Sequence, residues 1–286
     1  MVSKQSEDVA SSLEISPVVK SRMDEKKVQE RVAIGPHIVH ETIRREGEEE
    51  LKRSSSSLAW SGLAAGLSMG FSLVAEGLLA ARLPNSIWTP LLSKLGYSVG
   101  FLMVILGRQQ LYTETTLTAV LPILTKRNWE TGVGVLRLWS VVLFSNLVGT
   151  YLFALCLGRI PVFPPQIERV MIEVSRGSAE GGFGVIFARA VFAGWLIALM
   201  VWLLPAAESS RVGIIIIITY LIGLAGFNHV IAGSTKFLLL VITGAETWRV
   251  FLLKFFLPTL LGNIVGGVSL VAFLGHAQVV ARQDSN

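Results

Sequence analysis

His229 is the side chain whose setting points most directly to chemistry. It stands in Gly226-Phe227-Asn228-His229-Val230-Ile231-Ala232-Gly233-Ser234, between the apolar runs Val212 to Ala225 and Phe237 to Thr243. The first run includes the unbroken isoleucines Ile214–Ile218. An ionisable side chain midway along a membrane-length run marks a functional site by default. An imidazole there can hydrogen-bond an anion, or share a proton with it, because its ordinary pKa is about 6.5. Either service matters in a narrow apolar passage, where a bare anion loses its hydration and a neutral acid crosses far more cheaply. The plainer role for His229 is to satisfy unwound backbone, as polar groups also join helices inside membranes.

Other chemistries are poorly supplied. The remaining histidines, His37, His40 and His276, share no acid at ligand spacing, and the single cysteine, Cys156, lies in an apolar run. No metal site, cofactor or disulfide framework is therefore expected. No nucleophile–base pair or nucleotide-binding loop appears, so the chain does not read as an enzyme.

The elements that must position His229 follow from composition. Of 286 residues, 52% are hydrophobic and 16% charged, against about a quarter charged in a soluble domain. The apolar residues fall into long blocks, which predicts an all-α membrane protein with the lipid bilayer as partner. The net charge of +5 would suggest nucleic acid for a soluble protein; for these spans no nucleic-acid partner is expected. Six spans can be read. They run from Leu58 to Ala81, Trp88 to Leu106, Gly134 to Leu157, Val185 to Leu204, Val212 to Thr243 (broken near its middle) and Trp248 to Leu274. After the second come a polar insert, 108–116, and a half-length apolar piece, Leu117 to Leu124. A soluble-looking loop occupies 158–182.

Residues 1–57 form a polar leader with no apolar core segment, so neither a signal peptide nor a span is expected there. Its first part, to Gly35, predicts disorder. From Pro36 to Arg53 it reads as a charged helix, lying on the membrane surface or solvated. Residues 58–276 make the membrane domain and 277–286 a tail. Arg44, Arg45, Lys52, Arg53, Lys126, Arg127, Arg211 and Arg282 fall on one side of this arrangement, and the opposite loops carry more scattered arginines. The positive-inside rule then places both termini in the cytoplasm.

The two halves repeat a pattern. Gly107 opens the first break and Asn146 follows 39 residues later; Gly226 opens the second and Asn263 follows 37 residues later. Three spans per half require the halves to insert in opposite senses, giving two inverted three-helix repeats with interrupted second and fifth helices. Asn146, Asn263 and Asn228 are candidates to support the loosened backbone, since an isolated amide in lipid is costly. Gly62, Gly66 and Gly70, with Gly262, Gly266 and Gly267, read as close helix contacts. Arg108 and Glu114 bracket the first break, either as an ion pair or with Arg108 drawing anions to the inner mouth. Glu76, Arg189 and Lys254 read as snorkelling or interprotomer groups.

From Leu58 to His276 the chain resembles the formate/nitrite transporter family of bacterial inner-membrane anion channels. Gln110-Leu111-Tyr112-Thr113 resembles the family's acidic-Leu-Phe-Thr loop, and Gly226-Phe227-Asn228-His229 its Gly-Phe-Glu-His. Leu261-Gly262-Asn263-Ile264-Val265-Gly266-Gly267 completes the match. The resemblance implies an aquaporin-like six-helix protomer and a homopentamer. It also implies one pore per protomer for small monovalent anions such as formate, nitrite or hydrosulfide. By the same resemblance, Leu111 and Tyr112 form the cytoplasmic constriction, Tyr97 and Ile222 the outer one, and Thr113 faces His229. The chain departs from the family where Gln110 and Asn228 replace carboxylates, Gly233 replaces an asparagine and Arg108 replaces a small residue. These changes make the breaks more electropositive. Two other readings stay open: a channel for water or neutral solutes, and a membrane assembly or sensor protein that does not transport.

Overall fold

In hydrocarbon, a helix satisfies its own backbone, so long apolar blocks become helices and any interruption needs outside partners. The structure, a computed structural model, describes residues 35–273. The expected disorder before residue 35, the end of the last span at Leu274 and the tail 277–286 lie outside the described residues. Among the described residues every regular element is helical. In chain order these are α1 (Pro36–Lys52), α2 (Ser55–Arg82), α3 (Thr89–Leu106), α4 (residues 112–126), α5 (Trp129–Arg159), α6 (Pro165–Arg176), α7 (Phe183–Leu203), α8 (Arg211–Leu224), α9 (Val230–Ile242) and α10 (Trp248–Ser269). Helices α2, α3, α5, α10 and the segment Phe183–Ala206 are long and apolar enough to cross a membrane; α8 and α9 are shorter apolar pieces.

Local chemistry sets the boundaries. Ser54 caps α2 by accepting from Ser57 N–H at 3.2 Å, and Asn128 caps α5 by accepting from Thr131 N–H at 2.9 Å. That cap starts α5 at Trp129, a turn earlier than its apolar residues indicate. The polar insert 108–116 is also shorter than expected, because helix α4 already begins at Tyr112. The hydroxyls of Thr115 and Thr116 donate back to Tyr112 O and Thr113 O, each at 2.7 Å, so they can be buried inside a helix. The loop 158–182 contains α6, started by Pro165 at its first turn. Its buried Met171 lies against α2, where a Cβ on Gly77 would fall 2.5 Å from Met171 Cγ.

Two close crossings hold the bundle. On α2, a Cβ at Gly66 would fall 2.2 Å from Asn146 O, and one at Gly149 of α5 would fall 2.5 Å from Leu63 O. On α7, a Cβ at Gly194 would fall 2.4 Å from Asn263 O; on α10, one at Gly266 would fall 2.1 Å from Val191 O. Glycine lets each pair of backbones touch. Helix α1 packs as closely: a Cβ at Gly47 would meet Thr118 O of α4 at 2.0 Å. Its buried Val39, Ile43 and Gly47 thus face protein, and Lys126 Nζ reaches Glu48 at 2.8 Å.

Both interrupted helices end in the same kind of turn. At the close of α8, Gly226 takes φ +65°, and Phe227 N–H donates to Ile222 O at 3.0 Å. At the close of α3, Gln109 N–H donates to Val104 O at 2.9 Å, but the left-handed residue is Arg108 (φ 49°). Gly107, expected to open this break, keeps a right-handed φ of −76°. Only the space around it is restrictive, since a Cβ there would lie 2.5 Å from Met103 O. Replacing Gly226 by alanine tests the turn in isolation, because no atom lies within 4 Å of the added Cβ. The left-handed backbone alone should then cost about 1 kcal/mol, read as a lower melting temperature of the purified protein.

Candidate functional site

The two breaks are supported by the same amide device. At the first, Asn146 Oδ1 accepts from Tyr112 N–H at 2.9 Å. Its Nδ2 donates to Gln110 O at 2.9 Å and to Gly62 O on α2 at 2.8 Å. At the second, Asn263 Oδ1 accepts from Val230 N–H at 2.8 Å. Its Nδ2 donates to Asn228 O at 2.9 Å and to Ala190 O on α7 at 2.8 Å. Each asparagine therefore ties an unwound carbonyl and a helix-opening N–H to a continuous helix. Both asparagines have no exposed surface. Water cannot substitute for them there.

With the breaks pinned, α4 and α9 start beside one another. Thr113 Oγ1 lies 2.7 Å from His229 Nε2, and both residues are 1% exposed. His229 also caps α9, its Nδ1 accepting from Ala232 N–H at 3.2 Å. In the neutral ring the proton then sits on Nε2, which donates to Thr113 Oγ1. That leaves the Thr113 hydroxyl hydrogen available as a donor. Nδ1 thus satisfies backbone, and Nε2 faces the Thr113 hydroxyl. Phe101 closes one side, its ring 5.0 Å from the imidazole and edge-on.

A cavity of about 240 Å³ opens toward α6 and reaches His229; Tyr97, Ile222, Gly226 and Asn228 also line it. Tyr97 is held by its own carbonyl, which accepts from Ser72 Oγ at 2.6 Å, while Gly100 N–H donates to the same Oγ at 3.0 Å. A second cavity, of about 340 Å³, opens toward α1 and is lined by Arg108, Gln109, Gln110 and Glu114. Leu111 and Tyr112 are buried and line neither cavity. The Tyr112 ring sits edge-on to Trp139, 6.1 Å between centroids. No ion pair joins Arg108 to Glu114 among the described residues. Instead Glu46, Glu49 and Glu50 of α1 and Arg211 share their cavity. Burial raises the Glu46 carboxyl above the usual carboxylate range, with Arg108 and Arg211 opposing the shift.

One buried pair escapes the sequence reading. Glu76 is neither snorkelling nor reaching for another protomer: it has no exposed surface and accepts from Lys236 Nζ at 2.6 Å and from Lys94 Nζ. Lys236 is 5% exposed on α9, with its ammonium 5.3 Å from the Tyr97 ring centroid. The outer constriction expected from Tyr97 and Ile222 is thus not purely apolar. The available signal was a lone lysine and a lone glutamate, each inside an otherwise apolar helix, and each requiring a partner. Gly233 leaves room for Phe255, whose Cζ lies 2.4 Å from where a Cβ would be. No grouping of three or more potential metal ligands occurs among the described residues.

Comparison with known proteins adds to this geometry. The sequence model of the family described as formate/nitrite transporter matches residues 37–277. The chain is 40% identical over 260 residues to "Inner membrane protein YfdC" of Escherichia coli, covering 91% of this chain and 83% of that protein. It is 27% identical over 262 residues to "Formate channel BtFdhC" of Bacillus thuringiensis, covering 88% and 97%. A solved structure titled "Pentameric formate channel with formate bound" superposes with a TM-score of 0.67 at 22% identity, covering 79% of this chain and 98% of that one.

Asn263→Leu leaves Val230 N–H, Asn228 O and Ala190 O buried without their partner. At about 1–3 kcal/mol for each stranded group, the variant should unfold at a clearly lower denaturant concentration. Asn263→Asp keeps the acceptor but sets a second carboxylate oxygen against Asn228 O and Ala190 O, so it should be no more stable than Asn263→Leu.

Proposed function

Because the chain belongs to the formate/nitrite transporter family, we propose that it carries small monovalent anions, such as formate or nitrite, through a pore in each protomer. The observation that carries this reading is the meeting of the two breaks at Thr113 and His229. An anion at this point exchanges lost hydration for N–H and O–H donors held in place beforehand. Thr113 offers its hydroxyl hydrogen, and rotation of that hydroxyl frees His229 Nε2–H for the anion. The fixed Nδ1 cap keeps the ring oriented while Nε2 gives or takes the bond. If a proton moves, it moves at Nε2, since Nδ1 is committed to Ala232 N–H.

Around this centre we assign Leu111 and Tyr112 to the cytoplasmic constriction, and Tyr97 with Ile222 to the outer one. Their burial supports the assignment, as does the cavity that Tyr97 and Ile222 share with His229 and that Leu111 and Tyr112 do not line. Asn146 and Asn263 support the breaks by their side chains, Asn228 by its backbone carbonyl, Gly226 by its left-handed turn and Gly107 by close packing, and Arg108 sets a positive charge among the glutamates of the inner mouth. The six spans form two inverted three-helix repeats, as in aquaporins, supported by the matched asparagine devices. The protomers assemble as a homopentamer in a bacterial inner membrane with both termini in the cytoplasm. The leader before residue 58 and the tail after 276 then flank a single channel domain.

Formate influx into liposomes, measured from pH 5 to 8, tests the reading. His229→Phe should slow influx about 10- to 100-fold, the equivalent of losing one hydrogen bond to a charged group, and flatten its pH profile. Unchanged rate and profile would remove the imidazole from the mechanism. Faster passage of a neutral solute than of formate would favour a water or solute channel, and closure to every small anion would favour a non-transporting role.

A further inference from the structure

The charges around Lys236 sit beside the proposed pore, and the role inferred for them rests on that pore reading. Lys236 immediately precedes the apolar run Phe237 to Thr243, a setting where an unpaired ammonium is costly. Glu76 meets it from α2, and its second carboxylate oxygen accepts from Lys94. Both carboxylate oxygens are then occupied by lysines. Two ammoniums and one carboxylate leave the group one positive charge in excess. Glu76, itself fixed by Lys94, holds the ammonium near the Tyr97 ring, on the wall of the α6-side cavity.

A second donor lies on the same wall. Asn228 is 6% exposed, and its Nδ2 is buried with no hydrogen-bond partner. A stranded donor of this kind is costly unless a bound molecule accepts from it. Across the same cavity Arg189 and Glu180 carry opposite charges. The α1-side cavity has no such excess of cations, since Glu46, Glu49, Glu50 and Glu114 line it with Arg108 and Arg211. A negative ligand is therefore favoured on the α6 side.

We propose that Lys236 Nζ and Asn228 Nδ2 form a holding site for a small monovalent carboxylate or nitrite-type oxyanion, one step from His229 in the α6-side cavity. Glu76 and Lys94 are positioning residues for the lysine. One excess positive charge matches one negative charge. Two donors on separate elements suit an anion whose two acceptor atoms can take one bond each. From this site the anion moves to Thr113 and His229, and the lysine lowers the cost of passing Tyr97 without a full hydration shell.

Two measurements on the full-length protein separate this site from the channel reading. The first is thermal unfolding of purified protein in sodium formate against equal sodium chloride, which reports occupancy without transport. Formate should raise the melting temperature of the wild type above its value in chloride. That difference should vanish in Asn228→Asp and in the double variant Glu76→Gln/Lys236→Met, which removes the Lys236 ammonium and leaves the amide oxygen of Gln to accept from Lys94. The second is the half-saturating formate concentration for liposome influx, which should rise at least about tenfold in both variants. Equal stabilisation by chloride, or variants that respond as the wild type does, would overturn the proposal even if the wild type carries formate. A formate shift lost in the variants of a protein that carries no anion would leave the site standing and remove the channel reading.

Discussion

Two side-chain amides make interrupted helices possible inside this membrane protein. Without Asn146 and Asn263, the unwound stretches before α4 and α9 would strand N–H and C=O groups where no water can replace a partner. Each amide also grips a continuous helix, Gly62 O on α2 or Ala190 O on α7. The breaks are therefore tied to the walls of the bundle, which places Thr113 against His229. The glycine crossings serve the same arrangement. A side chain at Gly66 or Gly194 would push away the helix that carries the supporting asparagine.

Charge is distributed around this centre just as selectively. Glu76 and Lys236 are separated by 160 residues, yet each makes the other's burial tolerable. The cavity toward α6 gathers cations, whereas the one toward α1 gathers glutamates from the leader helix. Between them, Leu111, Tyr112 and Thr113 form a buried section that lines neither cavity. The imidazole reaches the α6-side cavity, and the Thr113 hydroxyl it contacts lines neither.

Much of the bundle could be read along the chain because bilayer constraints act on local composition. Long apolar blocks must be helices, and glycine, asparagine and histidine inside one block announce a break. The spacing from each break to its asparagine pointed to a shared device. Local pattern misleads where polar residues satisfy themselves within a helix. Thr115 and Thr116 look like loop residues but bond back to α4, and 158–182 looks like a loop but holds α6. Gly107 was the obvious residue for the turn, yet Arg108 takes the left-handed conformation.

By itself, then, the sequence determined a helical membrane protein, two interruptions and the histidine within one of them. These follow from hydropathy and from the rule that every backbone polar group in lipid needs a partner. Only the tertiary structure decided which groups meet: Thr113 with His229 across 116 residues, Lys236 with Glu76 and Lys94, and Asn228 with no partner for its amide N–H. Such pairings depend on the depth and rotation of whole helices. Those are set by the sum of many packing contacts, and no single segment encodes that sum.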